Sequence, residues 1–149
     1  MYPRWHFILG IVFAALIWIV APGTNPLYLF LVFFGAFFID FDHYLSSVIK
    51  TKKYGLKNSL EYHKKYMHNE AKEIKKGTRK KGDFHVFHTV EFHILTGLLG
   101  LFWIGFFYIF IGMVFHSLLD IFDFIKRGVF HRREFFFFNW QGKRSIRKN

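Results

Sequence analysis

All 21 lysines and arginines of this 149-residue chain lie at Arg4, between Lys50 and Lys81, or between Lys126 and Lys148. Two long tracts, 5–49 and 82–125, contain none. Helices of a water-soluble globule carry Lys and Arg on their outer faces, so basic-free tracts of this length argue for lipid contact. The segregation also reconciles a formal net charge of +11 with a chain that is 52% hydrophobic and 23% aromatic. The length has room for one domain, read here as a single membrane domain over 1–149. Cysteine is absent, which removes disulfides and thiolate metal ligands from consideration.

Residues 7–21 are an uninterrupted apolar run, ended by Pro22-Gly23-Thr24-Asn25-Pro26, and a second run covers 27–39. The breaker-rich turn between them suits a helical hairpin. The first run superficially resembles a signal peptide, but Pro22 follows Ala21 and spoils a cleavage site, so a retained helix is expected. Both runs fall short of the roughly 20 residues that span a bilayer comfortably. Segment 44–82 then turns basic, with twelve Lys or Arg against Glu61, Glu70 and Glu73. Leu56, Leu60, His63, Met67, Ala71 and Ile74 form a weakly apolar helical stripe, as in an amphipathic helix lying on an anionic membrane surface. A solvated charged helix is the alternative. Basic residues with little aromatic interleaving do not specify nucleic acid, which is not an expected partner.

The tract 92–125 decides the topology. As one straight helix it would hold His93 and His116 roughly 35 Å apart. A turn near Gly100–Gly105 would return them to one side. Keeping both basic segments cytoplasmic also requires that turn. The expected fold class is therefore all-α, an integral membrane bundle of about four short helices in two hairpins (7–21 with 27–39, then 92–125), plus a basic interfacial helix. The basic tail, 126–149, carries an aromatic burst, Phe135-Phe136-Phe137-Phe138-Asn139-Trp140, expected as an interfacial anchor, with a short strand or a packing plug as alternatives.

Histidine and carboxylate gather at the edges of the apolar tracts. His116, Asp120 and Asp123 are spaced i, i+4, i+7 and so share one helix face. Asp40, Asp42 and His43 end the second apolar run, where a helix C-terminus would disfavour acids. His85, His88, Glu91 and His93 lie within nine residues, and His6 opens the first helix. Imidazole and carboxylate are ligands of zinc and similar divalent ions, and polar groups beside a membrane are costly enough to need a purpose. A buried His–Asp pair or a polar helix boundary is the bland explanation of each cluster taken alone. His63, His68 and His131 read as surface residues. No phosphate-binding glycine loop, nucleophile elbow or HExxH is present.

In order along the chain, His6, Gly35 with Asp40-Phe41-Asp42-His43, His88-Thr89-Val90-Glu91-Phe92-His93, and His116-Ser117-Leu118-Leu119-Asp120 with Gly128 resemble the motifs of the YdjM-like family. That family comprises membrane-bound, metal-dependent hydrolases of bacteria and archaea. Ile39 stands where the family has proline, and Thr89-Val90 where it has Arg-Gly. A more remote resemblance runs to zinc-dependent phospholipase C and the related single-strand nucleases. The resemblance implies a metal set drawn from His6, Asp40, Asp42, His43, His88, His93, His116 and Asp120, with Glu91 or Asp42 as proton acceptor. One or two Zn2+ ions are implied, with Mn2+ or Mg2+ as substitutes.

The expected function is hydrolysis of a phosphoester, such as a phospholipid headgroup, by metal-activated water at the cytoplasmic face of a prokaryotic membrane. Partners would be anionic lipid, a small or lipid phosphoester substrate, and a second copy if the chain is a homo-oligomer. The rival is a non-enzymatic scaffold that binds anionic lipid or a partner protein, with its His and Asp residues in a structural metal clamp or polar network. A transporter ranks third, because four short helices leave little room for a pathway.

Overall fold

A computed structural model describes residues 3–77 and 81–146. Those residues are all-helical, with no strand among them. The α-helices are α1 (Pro3–Val20), α2 (Pro26–Phe38), α3 (Phe41–Thr51), α4 (Leu56–Lys75), α5 (Val90–Leu99), α6 (Ile104–Lys126) and α7 (Phe137–Ile146). Short 3₁₀ turns cover Val86–His88 and Phe130–Arg132. Two stretches are long and apolar enough to cross a membrane: Pro26–Thr51, where α2 and α3 run on with a break at Ile39–Asp40, and Ile104–Lys126.

The turns follow local chemistry. Asn25 caps α2, its side-chain oxygen accepting from the Leu27 amide at 2.9 Å, and Pro26 occupies the first turn where no amide hydrogen is needed. The tract 92–125 does turn, at Gly100–Trp103, and α5 packs back against α6. Tyr28 in α2 and Tyr108 in α6 stack at 4.5 Å, so the two hairpin turns lie at the same end of the bundle. The start of α1, the end of α2, the start of α5 and the last turns of α6 therefore meet at the other end.

The closest packing is between α2 and α6, and glycine makes it possible. A Cβ on Gly112 would lie 2.0 Å from the Val32 carbonyl oxygen, and one on Gly35 would lie 2.2 Å from the Ile109 carbonyl oxygen. The two backbones touch, as small residues allow helices to do where apolar burial from water contributes little. Val32, Ala36 and Met113 fill the seam and are almost fully buried. Elsewhere the surface is strongly apolar, with Val20, Leu101 and Phe102 more than four-fifths exposed at the hairpin turns. An apolar surface on this scale suits contact with lipid.

Two expectations change at the other end. Asp40 and Asp42 do follow α2, yet Asp40 is also the N-cap of α3 and Asp42 lies in its first turn. The carboxylates therefore face a helix N-terminus, where the dipole favours them, and the expected electrostatic misfit disappears. The expected stripe from Leu56 to Ile74 does lie on one helix, α4, but the start of the basic segment belongs to α3, separated from it where Lys52 adopts a left-handed φ of 58°. Acids of α4 are engaged by the tail. Arg127 Nη1 lies 2.9 Å from Glu70, and Arg132 reaches Glu70 at 3.0 Å and Glu73 at 3.1 Å. The tail's aromatic burst packs in part, with Trp140 stacked on Phe84 at 4.2 Å, while Phe136 and Phe138 stay exposed.

Candidate metal centre

His116 sits on α6, fully buried, facing the last turn of α2. Its Nδ1 lies 2.7 Å from the Ala36 carbonyl oxygen. A carbonyl only accepts, so Nδ1 carries a proton, and in the neutral ring Nε2 then presents a lone pair. His88, delivered by the 3₁₀ turn before α5, is oriented in the same manner. Its Nδ1 donates to Asp42 Oδ2 at 3.0 Å, and that oxygen also accepts the Phe87 amide at 3.1 Å. The second lone pair, on His88 Nε2, therefore points at the first, and the two Nε2 atoms are 3.2 Å apart.

Two carboxylates close the arrangement. Asp40 Oδ1 lies 3.5 Å from His116 Nε2 and 3.6 Å from His88 Nε2. Asp120 Oδ2 lies 3.6 Å from His116 Nε2 and 3.8 Å from His88 Nε2. An ion with tetrahedral bonds of 2.0–2.1 Å has ligand atoms about 3.3 Å apart. The observed separations, 3.2 to 3.8 Å, bracket that edge from just below to half an ångström above. Lone pairs and carboxylates converging in a buried space repel one another unless a proton or a metal ion sits between them. These His and Asp groups could hold a metal ion.

Around this core lie further donors. His6 stacks on His116 at 3.9 Å and places Nε2 3.2 Å from Asp120 Oδ1, while its buried Nδ1 has no hydrogen-bond partner. His43 Nε2 lies 3.3 Å from Asp40 Oδ1, with its side chain 31% exposed. His85 Nδ1 lies 3.4 Å from Asp42 Oδ1, so Asp42, His43 and His85 form a second group of metal-binding geometry. Burial, with the Arg133 guanidinium nearby, holds His88 below its ordinary pKa against the pull of Asp40 and Asp42. That direction favours the neutral ring, the form a metal ligand takes.

Of the residues singled out from sequence, His6, Asp40, Asp42, His43, His88, His116 and Asp120 come together. His93 does not join them in any group of metal-binding geometry among the described residues. Its Nδ1 donates to the Thr89 carbonyl at 2.8 Å and its Nε2 meets Ser117 Oγ at 2.9 Å, so it ties α5 to α6. Glu91 also stands apart, accepting the Phe137 amide at 3.0 Å and so capping the start of α7. His63 is not a surface residue: it is half-buried, and its Nε2 donates to the His43 carbonyl at 2.9 Å. Burial holds its pKa below the ordinary value. His68 and His131 are exposed.

Sequence reasoning missed Arg133. It returns to the site because α6 ends in a Schellman turn: Gly128 at φ 67°, its amide donating to Ile125 O at 3.0 Å and the Val129 amide to Phe124 O at 2.9 Å. Arg133 Nη1 then lies 3.4 Å from Asp120 Oδ2. Burial pushes its guanidinium pKa down, opposed by Asp120, Asp42 and Asp40. The glycine at 128 was the one available signal.

An apolar cavity of about 210 Å³ opens beside the cluster, lined by Ile39, Phe87 and Met113 among others. A larger hollow of about 840 Å³ runs along α4 to Arg127 and contains none of the clustered donors. The position of Asp42 gives a test of its role. Replacing it by Asn removes the charged acceptor behind His88 without touching the four core donors. Metal affinity is expected to fall about 10- to 100-fold, as for other partners that orient a ligating imidazole, measured by competition with a chromogenic chelator. Unchanged affinity would mean that Asp42 does not orient His88. No known family, curated protein or solved structure matches this chain.

Proposed function

We propose that this protein is an integral membrane hydrolase of a prokaryotic cell membrane, acting on phosphoesters with a bound divalent ion, Zn2+ by preference. Its four apolar helices would form two membrane hairpins with both basic segments cytoplasmic, which places the site at the cytoplasmic interface. The single observation that carries this reading is the convergence of His88, His116 and Asp120 in one buried group of metal-binding geometry, with Asp40 Oδ1 within 3.6 Å of both imidazoles. Two nitrogen and two oxygen donors suit zinc, with Mn2+ as the alternative. A bound divalent ion supplies Lewis-acid polarisation and a more acidic water.

The chain's own residues do the rest. Ala36 and Asp42 hold Nδ1 of His116 and His88, so that each Nε2 would be the nitrogen offered to an ion. His43, the most exposed member of the cluster, is placed to take and release a proton at Nε2. The apolar cavity beside Ile39 and Phe87 suits part of an acyl chain, which favours a lipid phosphoester.

A second reading has its own support. If Asp40 joined His88, His116 and Asp120 on one ion, the four protein donors would fill a tetrahedral shell, and closed shells are structural. The same cluster would then be a clamp joining α2, α6 and the turn before α5 in a membrane scaffold. Purified chain in detergent separates the two. Elemental analysis is expected to find about one ion per chain, and phosphate release from phosphatidic acid is expected to stop on chelation. Metal without hydrolysis favours the clamp; absence of stoichiometric metal defeats both readings.

A further inference from the structure

Arg132 and Arg133 are sequence neighbours with opposite surroundings. Arg132 is engaged by two carboxylates, with Nη1 and Nη2 each 3.1 Å from Glu73 and Nε 3.0 Å from Glu70. Arg133 points the other way, into the cluster. Its side chain is only 8% exposed, yet the guanidinium meets a single carboxylate, Asp120, at 3.4 Å from Nη1. The ring of Phe124, 5.3 Å from the guanidinium carbon, supports it. A guanidinium offers five donors in a planar fork. Among the described residues one long contact occupies part of that fork, and its other donors are not among the buried atoms closed off from a partner, so they stay available to a ligand.

Charge counting gives the fork a purpose. Asp40, Asp42 and Asp120 carry three negative charges around a divalent ion, an excess that repels any anion. Arg133 cancels that excess. It does so beside Asp120 Oδ2, which is itself 3.6 Å from His116 Nε2, so a group held by the fork reaches the same space as the core donors. A tetrahedral oxyanion can offer two oxygens to the fork and still present a third, whereas a carboxylate engaged by the fork has none left.

We propose that Arg133 is the phosphate grip of this site, binding two oxygens of a phosphoester through its guanidinium. The inference rests on the proposed hydrolase for its setting, but on a separate observation, the buried and only partly occupied fork.

The test uses the full chain in dodecyl maltoside, which contains no phosphate, loaded with Zn2+ and titrated calorimetrically with inorganic phosphate. Arg133→Gln is expected to weaken phosphate binding about tenfold or more, and Arg133→Lys to retain part of it, with zinc content unchanged in both. Phosphatidic acid added to the micelles distinguishes the sources. Displacement of phosphate in an Arg133-dependent manner identifies a lipid headgroup, and its failure identifies a soluble phosphate. Unchanged phosphate affinity in Arg133→Gln overturns the proposal, as does a wild-type chain that holds zinc and binds no phosphate. Loss of zinc together with phosphate overturns it too, since Arg133 would then be a counter-ion that holds Asp120 in place. If the wild-type chain takes up no zinc, the metal-dependent reading falls by itself. The same phosphate titration on the zinc-free chain then decides the grip: Arg133-dependent binding upholds it, and no binding ends it.

Discussion

Asp120→Asn is expected to leave a folded, membrane-inserted helical protein that no longer holds a metal. The substitution keeps the size of the side chain and its place on α6, so packing around it changes little. It removes the charge from Oδ2, one of the four atoms directed at the centre, and weakens the acceptor facing His6 Nε2 at 3.2 Å. Groups that merely orient a ligand cost 10- to 100-fold in affinity when removed, so loss of a donor atom should cost more than about 100-fold. Elemental analysis after purification reads the metal, and far-UV circular dichroism reads the fold. His116→Ala should agree in the metal assay but lose stability as well, because the ring is fully buried, bonds Ala36 and stacks on His6. Full metal content in Asp120→Asn would remove Asp120 from the ligand set and leave three donors, an open site. Metal-free wild type and variant alike would end the metal reading.

The second large effect comes from a residue that touches no ligand. Gly112→Val introduces a Cβ 2.0 Å from the Val32 carbonyl oxygen and 2.8 Å from the Ala36 nitrogen, both backbone atoms that cannot rotate away. The helices α2 and α6 must separate, at a cost expected to reach about 3 kcal/mol or more, the upper range for overpacking. Because α2 carries the Ala36 carbonyl and leads into Asp40 while α6 carries His116 and Asp120, separation should also abolish metal binding with every candidate ligand still present. Gly23→Ala, whose Cβ would meet nothing within 4 Å, is the matched control and should change neither property. Detergent-resistant thermal unfolding with and without Zn2+ measures both effects. Wild-type stability and metal uptake in Gly112→Val would show that the α2–α6 seam is looser than these distances imply.

Those two predictions mark where the sequence was legible and where it was not. The i, i+4 pairing of His116 and Asp120 is a property of any α-helix, so their common face was readable in advance. The break that lets Asp40 and Asp42 open α3 was not, since nothing in Phe38-Ile39-Asp40 forbids one continuous helix. His93 and Glu91 sat in the same motif as His88, yet α5 starts at Val90, capped by Thr89, and its helical rotation turns both away from the cluster. Spacing within a motif does not reveal where a helix begins. Arg133 lies beyond Gly128, and the direction a chain takes after a left-handed turn is set by what Val129 finds to pack against.

The segregation of lysine and arginine by itself determined that this chain forms apolar helices with charge kept to their ends. The physical reason is that a charged group on a helix facing lipid would cost too much to be tolerated. The residue types at those ends limited the chemistry to imidazole and carboxylate. Only the tertiary structure decided which of them share one centre. That choice depends on the contact of Gly35 and Gly112 with the facing backbone and on the turn at Gly100–Trp103. It depends also on a tail that folds back, and all three are set by packing between segments far apart in the chain.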